Sequence, residues 1–179
     1  MKKLIQTPSQ TVGPYFAYSL TPVQYGYDLT QVVNGNIAPE DSVGEHIQII
    51  GKVFDGQNQA ITDALIELWQ SDIQKIGRFG TGTDAQSRFI FNTIKPKSVE
   101  GQAPHLTIVV MMRGLLVHAY TRLYFSDEAA ANEKDSVLNS ISADRRATLV
   151  ACLENKNGQK VYHFNIHMQG AQETAFFDV

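Results

Sequence analysis

Five histidines, at positions 46, 105, 118, 163 and 167, and one cysteine, Cys152, are the side chains of this sequence with most capacity for metal binding or acid–base work. Two metal ligands on one strand sit at i and i+2, where side chains share a face about 6.6 Å apart. No His-x-His occurs. His163 and His167 share a face but lie about 13 Å apart along an extended strand, too far for one ion. Read alone, they and His118 are polar residues on the solvent side of a strand. A lone cysteine leaves no internal disulfide, no cysteine-rich zinc site and no Cys-x-x-Cys pair. The glycine-rich stretch Gly77–Gly82 lacks the Gly-Lys-Ser/Thr ending and the following helix of a phosphate loop. There is no Gly-x-Ser-x-Gly elbow. His105, in Ala103-Pro-His-Leu-Thr107, opens an apolar run; by composition alone it is a hydrogen-bonded core histidine.

The elements that would position these residues are strands. From His46 apolar residues alternate through Ile47, Ile49, Gly51 and Val53, the period-2 pattern of a half-buried strand. Asp55-Gly56 marks a turn. Ala64–Gln70, Arg88–Ile94, His105–Met112, Leu116–Phe125, Lys160–Gln169 and a short Thr174–Phe177 also read as strands. His105–Met112 is the nearly continuous apolar run of a central one. Gly77–Thr83 reads as loop, and Asn157-Gly158 as a turn. Short helices are predicted near Tyr27–Val33, Asp127–Asn132 and Asp144–Cys152. Many short strands with frequent turns predict an all-β fold, a β-sandwich. It spans residues 46–179, preceded by an irregular arm over residues 1–45 that is broken by Pro8, Gly13-Pro14, Pro22, Gly26 and Pro39.

Net charge is −3, which gives no electrostatic reason to bind nucleic acid. No apolar run approaches the roughly 20 residues of a bilayer span. No apolar stretch follows the basic start, so the expectation is a cytoplasmic protein without a signal peptide. Charged residues make up 18% of the chain, against about 25% in ordinary domains. That deficit hints at a surface covered by another chain, since interface cores are depleted in charge.

Six segments then occur in a telling order: Thr7-Pro-Ser-Gln-Thr-Val-Gly-Pro-Tyr15, Leu65-Ile-Glu-Leu-Trp-Gln70, Phe91-Asn-Thr-Ile-Lys-Pro96, Ala103-Pro-His105, Thr121-Arg-Leu-Tyr-Phe125 and Phe176-Phe-Asp178. Together they resemble the intradiol ring-cleaving dioxygenases, most closely the alpha chains of the two-chain members. The resemblance implies a β-sandwich subunit that pairs with a related beta chain, in pairs that build a larger oligomer. It implies that the beta chain holds a non-haem ferric iron, Fe(III), through two tyrosines and two histidines. The implied reaction opens protocatechuate between its two hydroxyl-bearing carbons with dioxygen, giving 3-carboxy-cis,cis-muconate in the beta-ketoadipate route of aromatic catabolism.

Compared position by position, this chain lacks most of that ligand set. Where iron-binding chains read Pro-Ala-His-Ile-His, it reads Ala-Pro-His105-Leu106-Thr107, and a neutral hydroxyl is a poor substitute for imidazole on iron. Lys97, Ser98 and Val99 follow Lys95-Pro96 without the family's tyrosine, and Ser71–Gly82 contains no tyrosine either. The resemblance therefore implies no metal here, with His105 and Thr107 as vestigial ligand positions. It assigns the chain a share in the partner's substrate pocket through Thr11, Gly13, Pro14 and Tyr15 of the arm, and through Arg113, a fixed cation suited to an anionic aromatic acid. The segments 71–82 and 97–102 are shorter than in the family's alpha chains. Two other readings stand beside this one. The first is a self-sufficient dioxygenase that uses His105 with Tyr120 or Tyr124; the second is a non-catalytic β-sandwich binding module.

Overall fold

The structure, a computed structural model, describes residues 11, 13 and 15–178. Strand β1 (His46–Phe54) shows how sequence pattern becomes layer: Ile47, Ile49 and Val53 are buried while their neighbours are more open. The described residues contain eight further strands: β2 (Leu65–Gln70), β3 (Lys75–Gly80), β4 (Arg88–Ile94), β5 (His105–Met111), β6 (Ala119–Phe125), β7 (Val150–Lys156), β8 (Gln159–His163) and β9 (Ile166–His167). Hydrogen bonds connect them in the order β3-β2-β5-β6-β7-β8-β1-β4, with β9 beside the end of β1.

One layer, β3-β2-β5-β6, is antiparallel throughout. The other is mixed: β7 runs antiparallel to β8 and β4 to β1, while β1 and β8 are parallel. The layers share β7, which starts alongside β6 at Val150 and Ala151 and then pairs with β8. Ile66, Leu68, Leu106, Ile108 and Leu123 from the first layer meet Ile47, Ile49, Phe89, Phe91 and Tyr162 from the second in the main core. This is the expected all-β sandwich.

Among the described residues three short α-helices decorate it: α1 (Phe16–Leu20), α2 (Ala129–Asn132) and α3 (Ser136–Ser140). The buried Asp135 caps α3 by accepting from Leu138 N at 2.7 Å. A second small core of Ala103, Tyr124, Leu138, Leu149 and Ala175 lies beneath this region.

Several local expectations need correction. Tyr27–Val33 is irregular; among the described residues the helical turns of the arm are α1 and a 3₁₀ turn at Val23–Tyr25. The helix expected over Asp144–Cys152 is only a 3₁₀ turn, Arg146–Leu149, after which β7 begins, and α3 was not anticipated. The supposed loop Gly77–Thr83 is mostly strand β3. Thr174–Phe177 forms one bridge, Phe177 to Tyr120, rather than a strand. The 71–82 segment is thus a hairpin with a tight turn, and 97–102 closes on the two left-handed residues Glu100 and Gly101.

The chain after α1 is strapped to β3. The side chain of Gln24 donates to Gly80 O at 2.7 Å and to Thr83 Oγ1 at 2.6 Å, and accepts from Gly80 N at 2.9 Å. Ile37 N then donates to Asn92 O on β4 at 2.8 Å. No helix among the described residues is long and apolar enough to cross a membrane.

Candidate functional site

Residues opposite one another in an antiparallel pair share a sheet face, so the first layer's registers write rows across its outer side. One row is Arg78, Glu67, Val109 and Tyr120; the next is Ile76, Trp69, Thr107 and Arg122; a third begins with His105 opposite Tyr124. With Phe16 and Leu20 of α1, members of the first two rows line a hollow of about 520 Å³. Arg78 Nε donates to Glu67 within it, and His118 Nε2 meets the Tyr120 hydroxyl at 2.8 Å.

The vestigial ligand positions lie on this face, and their surroundings do not fit a ferric ion. His105 Nδ1 donates to Ala103 O at 2.8 Å. Burial pushes its pKa down, as does the Arg122 charge, against the opposing effect of the Ala103 bond. Two residues on, Thr107 offers a neutral hydroxyl. The phenol of Tyr124 donates to Asp135 Oδ1 at 3.1 Å and accepts from Arg122 at 3.3 Å. Burial pushes that phenol up to about 12. Among the described residues, no three His, Cys, Asp or Glu side chains gather as a metal site requires. The self-sufficient arrangement would have to draw on His105, whose Nδ1 is held by Ala103 O, and on Tyr120 or Tyr124, whose hydroxyls are held by His118 and by Asp135 with Arg122.

The other expected site residues converge in part. The Thr11 hydroxyl accepts from Gly114 N at 2.9 Å, so the arm touches the β5–β6 turn that carries Arg113. Arg113 extends into solvent with its side chain 61% exposed, and its Nε pairs with Asp63 Oδ2. Gly13 O accepts from Phe16 N at 3.1 Å, which starts α1. Tyr15 is 75% exposed, its ring 5.8 Å from that of Tyr18. Tyr18 in turn lies 4.2 Å from Tyr25. No hydrogen bond or cation–ring contact joins Tyr15 to Arg113 among the described residues, and Pro14 lies outside them. Leu116 and Val117, exposed on the same turn as Arg113, leave an apolar edge beside the cation.

Sequence reasoning missed Asp63. It sits in a polar Thr62-Asp63 turn before β2, where nothing but a fold could show that it meets Arg113 across the sheet. Burial, reinforced by Tyr18 and by the Asp63 charge, raises the Tyr25 phenol, against a lowering backbone bond at Gly82. A Cβ on Gly82 would meet both Thr62 O at 2.8 Å and the Tyr25 hydroxyl at 2.9 Å, so the tyrosine cluster lies beside the turn that carries Asp63.

No family model matches the chain. The protocatechuate 3,4-dioxygenase alpha chain of Burkholderia cepacia is 50% identical to it over 197 residues, covering all of both chains. The chain belongs to the protocatechuate 3,4-dioxygenase alpha-chain family. The alpha chain of that name from Pseudomonas putida is 38% identical over 196 residues, covering 98% of this chain and 97% of its own. As a protocatechuate 3,4-dioxygenase alpha subunit, the chain serves intradiol ring cleavage. The Burkholderia alignment is longer than this chain's 179 residues, so that relative has segments with no counterpart here. The fold is similar to the dioxygenase domain of a dioxygenase carbohydrate-binding protein fusion from Streptomyces sp. SirexAA-E. That match has a TM-score of 0.64 and 20% identity, and covers 94% of this chain and 99% of that one. An intradiol ring-cleavage dioxygenase from Tetranychus urticae matches with a TM-score of 0.62 and 14% identity, over 79% of this chain and 89% of its own.

Proposed function

We propose that this alpha chain completes an active site whose non-haem ferric iron is held by a beta-chain partner. Together the two chains open protocatechuate between its hydroxylated carbons with dioxygen, giving 3-carboxy-cis,cis-muconate, in the cytoplasm and within a larger oligomer of alpha–beta pairs. The partner's iron supplies Lewis-acid polarisation of the bound ring. Residues 46–179 are the scaffold, and residues 1–45 the arm that packs on both scaffold and partner.

The observation that carries this reading is the bond between Thr11 and Gly114, which docks the arm beside Arg113 while Arg113 and Tyr15 stay open to solvent. Exposed cation, phenol and apolar edge make half of a pocket that a second chain can close. In that role Thr11, Gly13 and Pro14 bring backbone close to the substrate, as a tight turn permits. Tyr15 supplies a ring face and a hydroxyl. Arg113 supplies a cation for an anionic aromatic acid.

Purified alone, the chain is expected to contain no stoichiometric iron and to lack tyrosinate-to-iron absorption. Co-expressed with its beta chain it is expected to give a coloured, active complex. In that complex Tyr15→Phe and Arg113→Ala each lower kcat/KM about tenfold or more, the weight of a hydrogen bond to a charged group, with iron content unchanged. Unaltered kinetics for both variants would remove these residues from the site.

A further inference from the structure

We propose that Asp63 is a positioning residue for substrate binding: it grips Arg113 by Nε and thereby presents the guanidinium's outer edge to the substrate. This rests on the reading of Arg113 given above. The pair is asymmetric. The Asp63 side chain is 18% exposed and its Oδ2 is shut off from solvent, whereas Arg113 is 61% exposed. Oδ2 makes no well-formed hydrogen bond elsewhere, so its charge is answered by Arg113 alone among the described residues. A surface ion pair formed for its own sake contributes little, and here the carboxylate is the buried member and the cation the open one. That is the arrangement of an anchor and a presented group.

A guanidinium has two useful edges, one including Nε and one formed by the two Nη groups, and the latter accepts a carboxylate bidentately. Asp63 occupies Nε. The Nη nitrogens make no hydrogen bond within the described residues. An unanchored arginine at a hairpin turn would lose considerable side-chain freedom on meeting an anion. An arginine already held loses less, so binding gains from preorganisation. The anchor is rigid: Asp63 lies one residue before the buried Ala64, whose N–H donates to Thr81 Oγ1 at 3.1 Å. Gly114, next to Arg113, is tied to the arm through Thr11.

The test uses the assembled alpha–beta enzyme with wild-type, Asp63→Asn, Asp63→Glu, Arg113→Ala and Asp63→Asn/Arg113→Ala alpha chains. Protocatechuate binding is titrated spectroscopically without oxygen, alongside kcat, KM, iron content and the thermal midpoint. Asp63→Asn is expected to raise Kd and KM about tenfold, with kcat and iron content kept. It is expected to add nothing further once Arg113 is alanine. Asp63→Glu, which keeps the charge on a longer arm, is expected to recover part of the loss. It also serves as the deciding variant if the asparagine chain does not assemble, since its smaller loss must likewise vanish without Arg113. If Arg113→Ala weakens binding while Asp63→Asn does not, or if the Asp63→Asn loss persists in full without Arg113, positioning is overturned and the role of Arg113 stands. If Arg113→Ala leaves binding unchanged, the reading of Arg113 itself falls, and this inference with it.

Discussion

A threonine hydroxyl at position 107 and a phenol at position 124 share the outer sheet face with His105, and both the phenol and the His105 Nδ1 are engaged by protein groups. The Asp135 carboxylate holds the phenol. It accepts from Ala103 N at 2.8 Å, Leu138 N at 2.7 Å and the Tyr124 hydroxyl at 3.1 Å, knitting the entry to β5, the helix α3 and strand β6 into one buried joint. Restoring one imidazole therefore does not restore a site. Thr107→His in the isolated alpha chain is expected to leave iron content well below one per chain after incubation with ferric salt, with no tyrosinate-to-iron band. Metal analysis and a visible spectrum read this directly, and stoichiometric coloured iron would show that the face retains a usable ligand set. That Thr107 stands where iron-binding chains carry a second histidine was legible in the sequence, because it depends only on which residue type stands at a matched position. The Asp63–Arg113 contact was not, because it joins two turns 50 residues apart that only the pairing of β2 with β5 brings together.

Strand β3 shows how an element can hide from its own sequence. Lys75-Ile-Gly-Arg-Phe-Gly80 carries two glycines, which read as loop. The glycines are there because the arm lies on them. A Cβ on Gly77 would come within 2.6 Å of Ile37 Cγ1 and 2.9 Å of Asn34 O, and one on Gly80 within 2.6 Å of the Tyr25 hydroxyl. Local propensity was overridden by a packing partner some 40 residues upstream. The clear alternation in β1 and the Asn157-Gly158 turn joining β7 to β8, both read correctly, have no such competitor: their pattern is set by the core and by positive φ at both turn residues. Gly77→Ala therefore tests the strap. The backbone oxygen of Asn34 cannot swing aside as a side-chain tip can, so the variant is expected to lose about 1–3 kcal/mol of stability. Limited proteolysis is expected to cut within residues 26–36 faster than in the wild type. Unchanged stability together with unchanged cleavage would mean that the arm does not press on β3.

At the scale of the whole molecule, the perturbed ionisable groups bound a window of pH in which the fold is most stable. On the acid side stands His105, whose pKa is lowered by burial first. The unfolded chain takes up a proton near the ordinary value of 6.5 while the folded chain still refuses it, so stability falls as pH drops below that point. Further down come the carboxylates. Asp127 and Asp135 would be raised by burial. The Lys95 ammonium and the Tyr162 phenol bring Asp127 net below the usual range, and backbone bonds from Leu138 and Ala103 do the same for Asp135. Arg88 holds Asp84 at about 2. Their contribution is present above the unfolded carboxylate value and is lost as pH falls through the folded one. On the alkaline side, burial pushes Tyr124 and Tyr162 up to about 12. Lys95 is raised net by Asp127 and Glu128 against the cost of its burial. The unfolded chain releases these protons near pH 10 while the folded chain holds them, so stability falls again above that value. The thermal midpoint of the isolated chain is therefore expected to be level between about pH 7 and pH 9.5 and to decline in two stages on the acid side. His105→Gln is expected to flatten the first stage, which sets in as pH falls below the ordinary histidine value, and to leave the second, in the carboxylate range, in place. A first stage of the same depth in that variant would assign it to another group and remove His105 from the account.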